Sequence, residues 1–132
     1  MGVGSFMGGE PEIFNFENLN VYKKALEFIN LVYCVTNGFP SEERFALTDQ
    51  FRRAAYSIAL NIAEGYGRYT FPDKAAKYVI ARGECTETEA HIRIAIALGF
   101  ITDDEAASVI NRIYFERRLL SGLISACRKR GQ

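Results

Sequence analysis

Apolar side chains recur in steps of three and four along most of the chain, the period that gathers them on one face of an α-helix. The first run joins Leu19, Tyr22, Leu26, Ile29 and Tyr33, broadened by Ala25, Phe28 and Val32. Asn37-Gly38, with Pro40 just beyond, supplies its stop. A second helix begins near Ser41 or restarts at Thr48, with Glu42 and Glu43 suited to the positive end of its dipole. Its stripe is Phe51, Ala54, Ile58, Ile62, Gly65 and Tyr69, and Gly67 ends it. Thr70 is placed to cap a third helix, with Pro72 in the first turn and Asp73 three residues after the cap. That helix runs to Leu98, where Gly99 closes it. Thr102 and Glu105 in TDDE form a capping-box signature for a fourth helix, whose repeat is Ala106, Ile110, Ile113, Arg117, Leu120, Ile124 and Cys127.

No segment alternates apolar and polar residues between turn signals, so strands are not expected. Short connections between long helices make sequential helices antiparallel neighbours. The expectation is an all-α, up-down-up-down four-helix bundle over residues 16–130, preceded by a glycine-rich flexible tail over residues 1–15. The second, third and fourth helices are each expected to reach roughly 40 Å at about 1.5 Å per residue.

Two polar features interrupt this pattern. In the second helix Gln50, Arg53, Ser57, Asn61, Glu64 and Arg68 each directly precede a member of the apolar stripe. One residue turns a helix by about 100°, so this polar line flanks the core and meets either an adjacent helix or a neighbouring subunit. The third helix reads Ala76, Ile80, Gly83, Glu87, Ala90, Ile94 and Ala97, with a carboxylate in mid-seam, and the fourth places Arg117 likewise. Folding the chain about Thr70 and Ile101 brings Arg53, Glu87 and Phe115 to one level, with Arg117 within a turn. A buried Arg53–Glu87–Arg117 cluster is therefore expected to fix helix register or subunit pairing, because loss of one partner leaves an uncompensated charge. A binding role for the same residues is the alternative. Gly65 and Gly83 suit close helix approach.

Charge and composition narrow the function classes. The chain has 132 residues, enough for one domain, and its 16 Lys and Arg balance 16 Asp and Glu. Neutrality argues against a strong non-specific nucleic-acid binder and leaves only local basic patches. These are Arg112, Arg117 and Arg118, and the run Arg128, Lys129 and Arg130, the latter three being candidate nucleic-acid contacts as well as natural partners of a helix C-terminus. Tyr66, Tyr69 and Phe71 beside Arg68 could stack on bases or pack between subunits. Cys34, Cys85 and Cys127 are an odd set without a CxxC, consistent with free thiols in the cytoplasm. No apolar run has the length of a membrane span, so no membrane partner is expected.

Candidate chemistry is sparse. His91 is the one histidine, and Glu64, Glu87 and His91 form at most a minimal metal set, short of the Glu-x-x-His pairs that di-metal bundles use. A metal- or cofactor-dependent enzyme built on those residues is the alternative reading. Ser57 and the cysteines have no histidine in a nucleophile motif, and GYGR lacks phosphate-loop spacing. The expectation is no catalytic residue, no metal and no cofactor.

The segment ALTDQFRRAAYSIALNIAEGYGR, followed by ARGECTETEAHIRIAIALGFI, resembles the four-helix bundle protein family, also known as the ribosomal-RNA intervening-sequence proteins. The resemblance extends from Phe16 to Arg128. Its motif QxRRAxxSIxxNIAEGxGR is matched from Gln50 to Arg68, while Gly83-Glu84 stands where the family usually shows Gly-Ser. The resemblance implies a non-enzymatic bundle that assembles into rings, typically homopentamers. The accessory protein of diversity-generating retroelements is similar, and it binds nucleic acid and a reverse transcriptase through a basic surface. By that resemblance the chain's partners would be copies of itself and RNA or a nucleic-acid enzyme.

Overall fold

The computed structural model describes residues 19–131, and the expected tail over residues 1–15 lies outside the described residues. Four long helices follow one another: α1 (Asn20–Thr36), α2 (Leu47–Tyr66), α3 (Phe71–Ala97) and α4 (Asp103–Arg130), with a 3-10 turn at Ser41–Glu43 between the first two. No strand occurs among the described residues. Each helix packs on its sequence neighbours, and α1 closes the square by packing more lightly on α4. The result is the expected antiparallel four-helix bundle. At 20 residues α2 is shorter than expected, about 30 Å long.

The termini obey the local signals. Thr70 Oγ1 accepts a hydrogen bond from the Asp73 amide at 3.2 Å, and Thr102 and Glu105 close a reciprocal capping box. Gly99, at φ 79°, ends α3, with its amide and that of Phe100 bonding back to Ile96 and Ala95.

The buried face of α2 is the expected one, Phe51, Ala54, Ile58, Ile62 and Gly65, except that Tyr69 lies beyond the helix and is fully exposed. In α1 and α3 the phase differs by one position. In α1 the core takes Val21, Ala25, Phe28, Val32 and Thr36, leaving Leu26 and Tyr33 exposed. Tyr33 on the outer face lies under the Arg52 guanidinium, 4.3 Å from its ring centre.

In α3 the whole expected stripe faces outward, and the core takes Ala75, Tyr78, Ala81, Cys85, Thr88, Ile92 and Ala95 instead. Both sets have helical spacing, but the set chosen contains no carboxylate, so the bundle avoids burying Glu87. The Thr88 hydroxyl is satisfied locally by donating to the Cys85 carbonyl at 2.7 Å. In α4 the core takes Ala106, Val109, Ile113, Glu116, Leu120, Ile124 and Cys127, so Glu116 occupies the place expected for Arg117.

Of the two glycines expected at close approaches, Gly65 has that role: a Cβ there would lie 2.6 Å from Cε1 of buried Tyr78. Gly83 has nothing within 4 Å of the corresponding point.

Candidate functional site

The polar line of α2 lies on its surface, with Gln50, Arg53, Glu64 and Arg68 exposed and Ser57 and Asn61 half-buried. Asn61 Nδ2 donates to the Ser57 carbonyl one turn earlier at 2.8 Å. Glu64 reaches the neighbouring helix, where Lys77 Nζ on α3 stands 2.8 Å away, and that hydrogen bond holds its carboxyl below the usual glutamate range. Part of the line thus joins α2 to α3.

The expected Arg53–Glu87–Arg117 cluster does not form. Arg53 stays on its own helix, 3.8 Å from Asp49, and Glu87 lies on the outward face of α3, 3.5 Å from His91 Nε2. Arg117 instead pairs with Glu89 at 3.0 Å. The physical reason is the phase of α3: Glu89 is two positions beyond Glu87, about 200° around the helix, which brings it onto the flank facing α4.

Glu89 is the hub of a compact network. Arg93 Nε donates to its Oε2 at 3.0 Å and the Tyr114 hydroxyl at 3.2 Å, while Arg93 Nη2 donates to the Tyr114 oxygen at 3.0 Å. Arg117 completes the set by donating to Thr86 Oγ1 at 3.2 Å and resting over the Tyr114 ring. Burial pushes the Glu89 carboxyl up, but the hydrogen bonds from Arg93, Arg117 and Tyr114 outweigh it and hold the group below the usual range.

A second junction uses Arg52, the motif arginine outside the polar line. Its Nε donates to Thr36 Oγ1 at 2.7 Å and its Nη2 to Asn37 Oδ1 at 3.1 Å, with the guanidinium 4.3 Å from the centre of the Tyr33 ring. One α2 side chain thus secures the C-terminal end of α1. Arg52, Glu89 and Glu116 all escaped the sequence pattern. Each is one or two positions from a residue that the pattern did select, so the only signal for them is the true helix phase.

Of the candidate metal residues Glu87 and His91 come together, 3.5 Å apart, but Glu64 does not complete a set of three. Glu64 is engaged with Lys77, and the His91 ring stacks on Phe51 with centroids 5.8 Å apart and, among the described residues, neither nitrogen in a hydrogen bond. Among the described residues no group of three or more His, Cys, Asp or Glu side chains is placed to hold a metal ion. The three thiols are free, with Cys34 exposed and Cys85 and Cys127 buried. No helix is long and apolar enough to cross a membrane among the described residues.

At one end of the bundle, the α2–α3 turn meets the last turns of α4. An apolar groove of about 420 Å³ opens there, walled by Leu19, Tyr66, Phe71, Tyr78 and Leu123 and flanked by Lys74 and Arg130. Lys74 Nζ donates to the Tyr66 carbonyl at 2.6 Å, and Arg130 lies over the Phe71 ring at 5.5 Å. Arg68, Tyr69, Arg128 and Lys129 are exposed at the same end.

These features define an all-α four-helix bundle with polar ties between neighbouring helices at Glu64–Lys77, Glu27–Arg112 and Glu89–Arg117. The chain belongs to the family described as 23S rRNA-intervening sequence protein, whose sequence model matches residues 17–122. It is also similar to a crystal structure of a protein of unknown function from the S23 ribosomal protein family of Bacteroides thetaiotaomicron. The two share 28% sequence identity and a TM-score of 0.73, over 79% of this chain and 97% of the other. No curated protein matches the chain.

Proposed function

We propose that the chain is a non-catalytic scaffold that assembles with copies of itself into a ring, a pentamer by family resemblance, and presents its cationic end to RNA or to a protein that handles nucleic acid. The observation that carries this reading is the second apolar stripe of α3. Ala76, Ile80, Gly83, Ala90, Ile94 and Ala97 face outward, and Ile80 and Ile94 are each 46% exposed. A helix apolar on two sides is ordinarily covered on two sides, and the described residues cover only one. Leu60, 54% exposed, extends the patch, since it lies one turn before Glu64 on the flank of α2 that reaches Lys77. Among the described residues nothing lies within 4 Å of where a Gly83 Cβ would stand, which suits close approach by another chain.

The partner class follows from the cationic end, where Arg68, Arg128 and Lys129 stand beside the fully exposed Tyr69. Cations that meet phosphates and a ring that stacks on a base are the ingredients of single-strand recognition. The family description, which names 23S rRNA, points the same way.

Light scattering on the purified protein tests the assembly. The wild type is expected to be an oligomer, and Ile80→Glu combined with Ile94→Glu a folded protomer of unchanged helicity. A wild-type monomer at micromolar concentration would overturn the ring.

A further inference from the structure

Glu116 sits in the buried stripe of α4 between Ile113 and Leu120, and only 2% of its surface is exposed. Neither carboxylate oxygen has a hydrogen-bond partner among the described residues. An ionised carboxylate in that position loses its hydration without compensation, at a cost of several kcal/mol. Protonation removes most of that cost.

The groups around Glu116 come from three helices. Arg112 lies one turn earlier on α4, Glu27 and Lys24 face it from α1, and Cys85 faces it from α3. Among the described residues α2 contributes none. Burial pushes the Glu116 carboxyl up to about 8, with Glu27 adding to the effect and Arg112 and Lys24 opposing it. Burial pushes the Cys85 thiol up to about 12, and Glu116 adds to that, so Cys85 stays neutral throughout the range in which Glu116 titrates.

Arg112, the nearest cation in sequence, is engaged elsewhere. Its Nη2 donates to Glu27 Oε1 at 2.6 Å, and Lys24 Nζ approaches the same oxygen at 3.4 Å. The Arg112–Glu27 pair is a polar tie across the α1–α4 seam, the lighter of the two contacts that hold α1 in the bundle. Arg112 and Glu116 are also four residues apart on one helix, a spacing at which their side chains can meet. An ionised Glu116 would therefore be a second carboxylate within reach of the guanidinium that Glu27 holds.

We propose that Glu116 is a proton-operated latch on α1. With its proton in place the carboxyl is neutral, stays in the core and leaves Arg112 bound to Glu27. When hydroxide or another solvent base removes that proton, the carboxylate draws Arg112 off Glu27 and the α1–α4 seam loosens.

The direction with pH follows from proton counting. Between the ordinary value of 4.5 and about 8 the unfolded chain has lost a proton that the folded chain keeps. Stability therefore falls as pH rises across that window and levels off above it. Seam opening belongs to the upper end, where the folded state itself loses the proton.

Amide hydrogen exchange on the full chain, corrected for intrinsic base catalysis, reads the latch. Between pH of about 7 and about 9.5, α1 amides in the wild type are expected to accelerate about tenfold more than those of α3. Glu116→Gln, a neutral near-isostere, is expected to abolish that difference; the same difference in the variant overturns the proposal. Glu27→Gln, which removes the tie while keeping Glu116, is expected to expose α1 already at pH of about 6, and full α1 protection there overturns it. Carboxyl NMR of the wild type gives a measurement free of any variant. A Glu116 signal titrating near 8 supports the latch, and one titrating at or below 4.5 overturns it.

Discussion

Arg117 on α4 and Glu89 on α3 meet at 3.0 Å, and this pair, rather than any involving Glu87, joins the two longest helices. Glu89 accepts from two guanidiniums and a phenol at once, so its loss would leave several donors with no acceptor. Glu89→Gln is expected to destabilise the protein by about 1–2 kcal/mol, read as a lower melting temperature at neutral pH. Because the folded state holds this carboxyl below its ordinary 4.5, its contribution is present above that value. The contribution is lost as pH falls through the folded-state value, so wild type and variant melting temperatures should converge in acid.

The two adjacent motif arginines should behave differently. Arg53 is 61% exposed with a 3.8 Å partner, and Arg53→Ala is expected to change stability by less than about 0.5 kcal/mol. Arg52→Ala removes both bonds to the end of α1 and is expected to cost about 1–2 kcal/mol, measured by denaturant midpoint.

Glycine substitutions separate the inner and outer faces of the bundle. Gly65→Ala forces a methyl group against the buried Tyr78 ring, and a loss of about 1–3 kcal/mol is expected in thermal melts. Gly83→Ala meets no atom among the described residues and is expected to stabilise the dissociated protomer by up to about 1 kcal/mol. The same methyl group on the proposed contact stripe is expected to weaken self-assembly by light scattering.

At the cationic end, replacing Arg128, Lys129 and Arg130 together with alanine is expected to weaken RNA binding and flatten its dependence on salt, as fewer counterions are displaced. Tyr69→Ala is expected to weaken binding while leaving the salt slope unchanged, because stacking displaces no counterions. Titrations at several salt concentrations check both, and equal slopes for wild type and the alanine triple variant would remove these cations from the interface.

The fold was legible because its signals are local. A capping box at Thr102, a cap at Thr70 and a left-handed Gly99 act within a turn of the backbone they terminate, so sequence alone could place the ends of α3 and α4. The face that each helix turns inward was a harder problem. In α3 the sets beginning at Ala75 and Ala76 are both apolar, and in α4 the repeat passes equally well through Glu116 or Arg117. The stripe of α2 is buried as expected except at Tyr69, and that of α4 except at Ile110 and Arg117.

The sequence by itself therefore determined four helices, their caps and their antiparallel order, because hydrophobic period and capping chemistry are properties of neighbouring residues. Tertiary structure decided which apolar set each helix buries, since that choice depends on how three other helices fill the same space. By turning α3 about one residue from the simplest reading, packing moved Glu87 to the surface and assembled the network around Glu89, and by shifting α4 only at Val109 and Glu116 it enclosed Glu116 in the core.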